Sequence, residues 1–184
     1  MKFIALGSLV LAALASMATM QRKYWTEWHS EETIPPAVCE YGDLITGFGC
    51  SGGFCDNVRL NCETKGFAFT SRYWTRHVSD EKDGTCQSSS NGYFDCNWDV
   101  MSCGSNGFMT GVSCKGQYCD NLSLECVTLS GNSRSDCRWS DWVSEENGGT
   151  LQFPAGYYAA GMQCSGSNCD NLRFYICRAV PNRR

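Results

Sequence analysis

The chain has 184 residues, with 15 Lys and Arg against 19 Asp and Glu, and a formal charge of −4 at pH 7. A mildly acidic chain carries no electrostatic footprint for nucleic acid. Its one long apolar run, Phe3 to Ala15, is too short to span a bilayer, so no membrane span is expected.

That run is also the first element in chain order. Lys2 precedes it and small residues follow, the pattern of a secretory signal peptide over residues 1–18, cleaved after Ser16-Met17-Ala18. Loss of Lys2 takes the charge from −4 to −5. The mature chain, 19–184, is therefore expected to be secreted and extracellular. All 14 cysteines follow the cleavage point. An even number in an oxidising compartment reads as a disulfide framework. Zinc sites bring tighter cysteine pairs and histidines, and only His29 and His77 are present, so neither metal nor cofactor is expected.

The mature chain repeats itself. Cys50-Ser51-Gly52-Gly53-Phe54-Cys55-Asp56-Asn57 recurs as Cys114-Lys115-Gly116-Gln117-Tyr118-Cys119-Asp120-Asn121 and as Cys164-Ser165-Gly166-Ser167-Asn168-Cys169-Asp170-Asn171. Upstream, Trp25-Thr26-Glu27-Trp28 matches Trp74-Thr75-Arg76-His77 and Trp139-Ser140-Asp141-Trp142. The leading Trp lies 25 residues before the motif in repeats one and three and 40 before it in repeat two, which carries a 15-residue insertion with Cys86 and Cys96. The repeats, 24–72, 73–137 and 138–184, make one domain.

Each repeat reads as β. Leu44, Thr46 and Phe48 alternate with Ile45, Gly47 and Gly49 before the first motif, and Val58, Leu60 and Cys62 alternate with Arg59 and Asn61 after it. Period two with polar partners predicts strands with one buried face. No repeat can bury that face alone, so three should close around a shared axis.

Trp-x-x-Trp, a β stretch and Asp56-Asn57-Val58-Arg59-Leu60-Asn61-Cys62 resemble the repeat of the vitelline membrane outer layer protein I family, over Tyr24 to Cys177. The resemblance implies an all-β threefold β-prism, with three Greek-key sheets as the faces of a triangular prism. That fold is similar to jacalin-type lectins, and the family's namesake belongs to an extracellular egg coat. The residues alone predict a threefold, disulfide-rich β protein, with a β-trefoil as the alternative.

Repeat symmetry also proposes the bridges. Cys39 and Cys103 each precede their motif by 11 residues, which pairs Cys39 with Cys62 and Cys103 with Cys126. The motif cysteines close short clamps, Cys50–Cys55, Cys114–Cys119 and Cys164–Cys169. Repeat three has Phe153 in place of Cys39, and its last cysteine is displaced by one residue, which turns it to the other face of its strand. Cys177 is paired with Cys137, and Cys86–Cys96 remain within the insertion.

Several residues are candidates for chemistry. The pairs Asp56-Asn57, Asp120-Asn121 and Asp170-Asn171 offer oxygens for calcium, but one pair per repeat falls short of six to eight ligands, and capping of loop amides is the expected role. The triplets at Ser30, Ser79 and Ser144, each followed by two acidic residues, could mimic a glycosidase carboxylate pair. Neighbours on a strand point to opposite faces, so solvated turns are expected instead. His29 and His77 accompany no nucleophile motif, and a non-enzyme is expected. The repeated Trp residues are expected in the core. Phe54, Tyr118 and Asn168, at the clamp tips, are the candidate ligand-binding residues, because exposed rings and amides on rigid loops suit sugars. These readings favour a secreted glycan-binding, lectin-like module, partnered by extracellular glycans or coat components. The alternatives are a structural protein of an extracellular coat and, more weakly, a secreted toxin or effector.

Overall fold

The computed structural model describes residues 22–33, 35–79 and 100–182. Apart from four short 3-10 turns, the regular structure there is β: β1 (Lys23–Trp25), β2 (Ala37–Val38), β3 (Asp43–Ser51), β4 (Asn57–Thr64), β5 (Phe69–Trp74), β6 (Val78–Ser79), β7 (Val100–Ser102), β8 (Gly107–Lys115), β9 (Asn121–Leu129), β10 (Asn132–Trp139), β11 (Thr150–Gln152), β12 (Tyr157–Ser165) and β13 (Asn171–Pro181). No helix there is long and apolar enough to cross a membrane.

All pairings are antiparallel. The three sheets run β1-β4-β3-β11, β5-β9-β8-β2 (with β6 also on β9) and β10-β13-β12-β7. At the centre of each is a hairpin, β3–β4, β8–β9 or β12–β13, whose loop is the repeated cysteine clamp. The same irregularity recurs in all three, between Ile45 and Gly47, between Met109 and Gly111, and between Ala159 and Gly161.

The outer strand beside β3, β8 or β12 comes from a different repeat. β2 leaves the first repeat to pair with β8, β7 leaves the second to pair with β12, and β11 leaves the third to pair with β3. The lending is cyclic. A glycine receives each visiting strand: a Cβ at Gly47 would meet the Leu151 carbonyl oxygen at 2.7 Å, and one at Gly161 that of Met101 at 2.6 Å. Bare backbone is what allows the approach.

Two of the bridges anchor this exchange. Cys39 follows β2 and is joined to Cys62 of β4, while Cys103 follows β7 and is joined to Cys126 of β9. Each ties a departing segment back to its own sheet across 23 residues, which stabilises by about 3 kcal/mol through the unfolded chain. Phe153 fills the corresponding place after β11 and packs on Phe174 at 5.6 Å. Ile176 takes the buried position of the missing cysteine, opposite Ala159, and Cys177 turns to the other face and bonds Cys137. With the clamps Cys50–Cys55, Cys114–Cys119 and Cys164–Cys169, six disulfides form among the described residues. Disulfides at this density belong to an oxidising compartment. Cys86 and Cys96 lie outside the described residues.

The core is lined by Phe48, Leu60, Leu124, Met162, Phe174 and Ile176, all essentially inaccessible. A smaller apolar cluster, with Leu44, Phe108 and Tyr158, lies at the start of the inner strands, away from the clamps. The inner strands differ from the one-sided burial expected of them: β3 is buried along nearly its whole length. Its outer face carries glycines, and side chains from β4 and β1 reach over Gly49. Arg59 and Trp25 cover Gly49 in this way, with atoms 3.1 and 3.3 Å from where a Cβ would stand.

Candidate functional site

The clamp loops owe their shape to backbone that few residues adopt. Gly52, Gly116 and Gly166 stand at φ 78°, 78° and 83°. Two consecutive left-handed residues begin two positions later: Phe54 and Cys55 (φ 59° and 56°), Tyr118 and Cys119 (60° and 57°), Asn168 and Cys169 (53° and 56°). Left-handed backbone costs an L-residue roughly 1–2 kcal/mol, and the clamp disulfide holds the pair there.

The Asp-Asn pair completes the loop from inside. Asn57, Asn121 and Asn171 each donate from Nδ2 to Oδ1 of the preceding Asp, at 2.6, 2.6 and 2.7 Å. The expected role was capping of backbone amides; the bond seen joins the two side chains. The same Asp oxygen roofs the glycine, where a Cβ would lie 1.9–2.0 Å from it. Glycine, Asp and Asn thus form one unit, which explains their fixed spacing.

The three clamps meet. Cys55 Sγ lies 3.4 Å from the Asp170 carbonyl oxygen, Cys119 Sγ 2.9 Å from that of Asp56, and Cys169 Sγ 3.9 Å from that of Asp120. Every clamp therefore rests on another, in a closed cycle. The acidic triplets follow the same cycle. Phe54 N–H donates to Glu145 Oε1 at 2.8 Å, and Tyr118 N–H to Glu31 Oε1 at 3.3 Å. Glu31 and Glu145 lie in turns, as expected, Glu31 exposed and Glu145 half-buried. Each also secures the loop of another repeat through a carboxylate oxygen. Asp80, at the matching position of repeat two, lies outside the described residues. These carboxylates serve separate clamps.

At this end of the molecule the rings of Phe54 and Tyr118 pack together, centroids 5.1 Å apart and inclined by 56°. Phe54 is 37% exposed, whereas Tyr118 and Asn168 are half-buried. The tips were expected to be exposed: Phe54 is, Tyr118 and Asn168 are only partly so, and the convergence of the clamps pairs the two rings.

The tryptophans also stand elsewhere than expected. Trp28, Trp74 and Trp142 are exposed at 38–40%, and Trp25 and Trp139 are half-buried. Trp25, Trp28, Trp139 and Trp142 flank arginines. Arg59 Cζ sits 4.5 Å from the Trp25 ring and 4.3 Å from that of Trp28, and Arg173 Cζ 4.7 Å from Trp139 and 4.6 Å from Trp142. A guanidinium uses both indole faces this way at the sheet surface, by cation–π attraction and shared burial. Repeat two has His77 and Ser123 in place of the second Trp and the Arg. That substitution of both partners together was the sequence signal for the stacks.

Cys50, Cys55 and Glu145 bring potential ligand atoms within 4.8 Å of one another. The two sulfurs are bonded to each other, which leaves a single carboxylate and no thiolate for a metal. His29 is buried, and its Nε2 accepts from the Cys114 N–H at 3.4 Å, with Nδ1 3.2 Å from Thr33 Oγ1. Burial lowers its pKa below the ordinary value. It occupies the place of Val143, which makes the matching bridge to Leu172 as His29 does to Val58. His77 is also lowered, by burial and then by Lys115. No family model, curated protein or solved structure matches the chain.

Proposed function

We propose that the protein is a secreted, non-enzymatic glycan-binding module of the lectin type, with its site on the end where the clamps meet, and that the three sheets form the faces of a β-prism akin to the vitelline membrane outer layer protein I family. The observation that carries this reading is the Phe54–Tyr118 ring pair on cross-supported, disulfide-closed loops. A sugar stacks on an aromatic face and bonds to polar groups beside it, and Asn168 lies on the third clamp of the same cluster. Rigid loops lose little freedom on binding, which favours affinity. The cyclic lending of strands supports the prism.

The test is a glycan array on the oxidised protein, followed by Phe54→Ala and Tyr118→Ala. Since the rings touch, each truncation should cost about 0.5–1.5 kcal/mol of stability. Glycan affinity should fall at least tenfold, about 1.4 kcal/mol. Affinity unchanged in both variants would move the site elsewhere. A wild-type protein that retains no glycan would refute the lectin reading and leave the structural one, in which bridges and interlocked sheets are themselves the function.

A further inference from the structure

The two Trp–Arg–Trp stacks lie on and beside the strands and not on the clamp loops, and the ligand site above makes no use of them. Both are built on a Trp-x-x-Trp tetrad, Trp25-Thr26-Glu27-Trp28 and Trp139-Ser140-Asp141-Trp142. In secretory pathways, tryptophan C-mannosyl transfer selects the first indole of that tetrad. We infer that Trp25 and Trp139 are sites of C-mannosylation. The inference rests on the export proposed above but not on glycan binding.

The chemistry is a group transfer without change of oxidation level. Indole C2 attacks the anomeric carbon of a mannose carried on a polyprenyl phosphate. A C–C bond forms, and the C1–O bond breaks with its electron pair passing to the lipid phosphate. The C2 proton leaves to a base of the host transferase, which restores the aromatic ring.

The contacts of Trp25 fall on its ring face and on its benzo edge. Arg59 occupies a face of the Trp25 ring, and the benzo edge lies against the outer face of β3, with Cζ3 3.3 Å from where a Cβ of Gly49 would stand. C2 lies on the opposite, pyrrole edge, away from that contact. Trp25 and Trp139 are both half-buried, so neither indole is sealed in the core. A mannose there would set hydroxyls beside a guanidinium whose Nε is buried without a hydrogen-bond partner in the case of Arg59. Trp74 is the internal control: Trp74-Thr75-Arg76-His77 lacks the second tryptophan.

The full chain is expressed in a secretory host that also expresses a Trp-x-x-Trp reporter domain, and protein from the medium is mapped by peptide mass spectrometry with fragmentation. Trp25 and Trp139 should each carry one hexose that N- and O-glycosidases leave in place, and Trp74 none. Trp28→Phe should remove the hexose from Trp25 alone, and Trp142→Phe from Trp139 alone. Unmodified Trp25 and Trp139 beside a modified reporter would overturn the inference. So would equal modification of Trp74, or a chain that never reaches the medium. The result is distinguishable from a failure of glycan binding, because it is read on the peptides with no ligand present.

Discussion

Gly116→Ala puts a methyl group where Asp120 Oδ1 now lies, 2.0 Å from the Cβ position, with Asn121 Nδ2 only 2.5 Å away. Two costs follow. The backbone at φ 78° and ψ 179° is in a region that only glycine occupies readily, a strain of about 1–3 kcal/mol for any other residue. The carboxylate must also swing aside and lose its 2.6 Å bond from Asn121, worth about 1.5–3 kcal/mol for a charged acceptor. A loss of about 3–5 kcal/mol is expected from the two together. Guanidinium unfolding of the oxidised protein measures it. Gly53→Ala is the control, since nothing lies within 4 Å of its Cβ position and its φ is not left-handed; it should stay within about 0.5 kcal/mol of wild type. Adding Asp120→Ala to Gly116→Ala frees the space the methyl needs, so the double variant should be more stable than the sum of the two singles predicts. A Gly116→Ala protein as stable as the Gly53→Ala control would refute the account of the Gly–Asp–Asn unit.

Burial holds the folded pKa of His29 below the unfolded value of about 6.5, so its contribution to stability is complete above that pH and is lost as pH falls from there through the folded pKa. His29→Val, the residue of repeat three, should flatten that part of the stability–pH profile; an unchanged slope below the unfolded value would exclude His29 as its source. Asn121-Leu122-Ser123 is a glycosylation sequon, but Asn121 Nδ2 is held by Asp120, and Ser123 Oγ, buried, donates to the Thr75 carbonyl. Intact-mass analysis of protein from a glycosylating host should find low occupancy, and full occupancy in correctly folded protein would contradict the packing.

The hairpins were legible because their signals are local. A glycine, two cysteines and an Asp-Asn pair at fixed spacing define a loop in any order of reading, and period two on either side defines the strands. The Cys177 displacement could be read because a one-residue slip has only one structural meaning in a strand. The lent strands were not legible: β2, β7 and β11 hold two or three residues each, too few to show a period. The tryptophans misled for a different reason. A large apolar residue at a repeated position looks the same whether it packs on the core or on an arginine, and only the joint presence of Arg59 with Trp28 and of Arg173 with Trp142 separates the cases. Glu31 and Glu145 reach loops of another repeat, and no window of neighbouring residues contains such a contact.

The cyclic lending of strands also sets an order of assembly. The first sheet is finished only when Leu151 pairs with Phe48, across the whole of the second repeat, so a strand of the first repeat waits for one of the third. Pairings at that sequence separation close large loops before any contact offsets the lost entropy, which makes folding slow. Until β11 arrives, the outer edge of β3 beside Gly47 and Gly49 is an unpaired template, the kind of edge that recruits another chain. A nascent chain stalled after its second repeat would therefore be prone to aggregate, and the quickest remedy open to it is β11 of a neighbouring molecule, which would yield a domain-swapped oligomer with every native pairing intact.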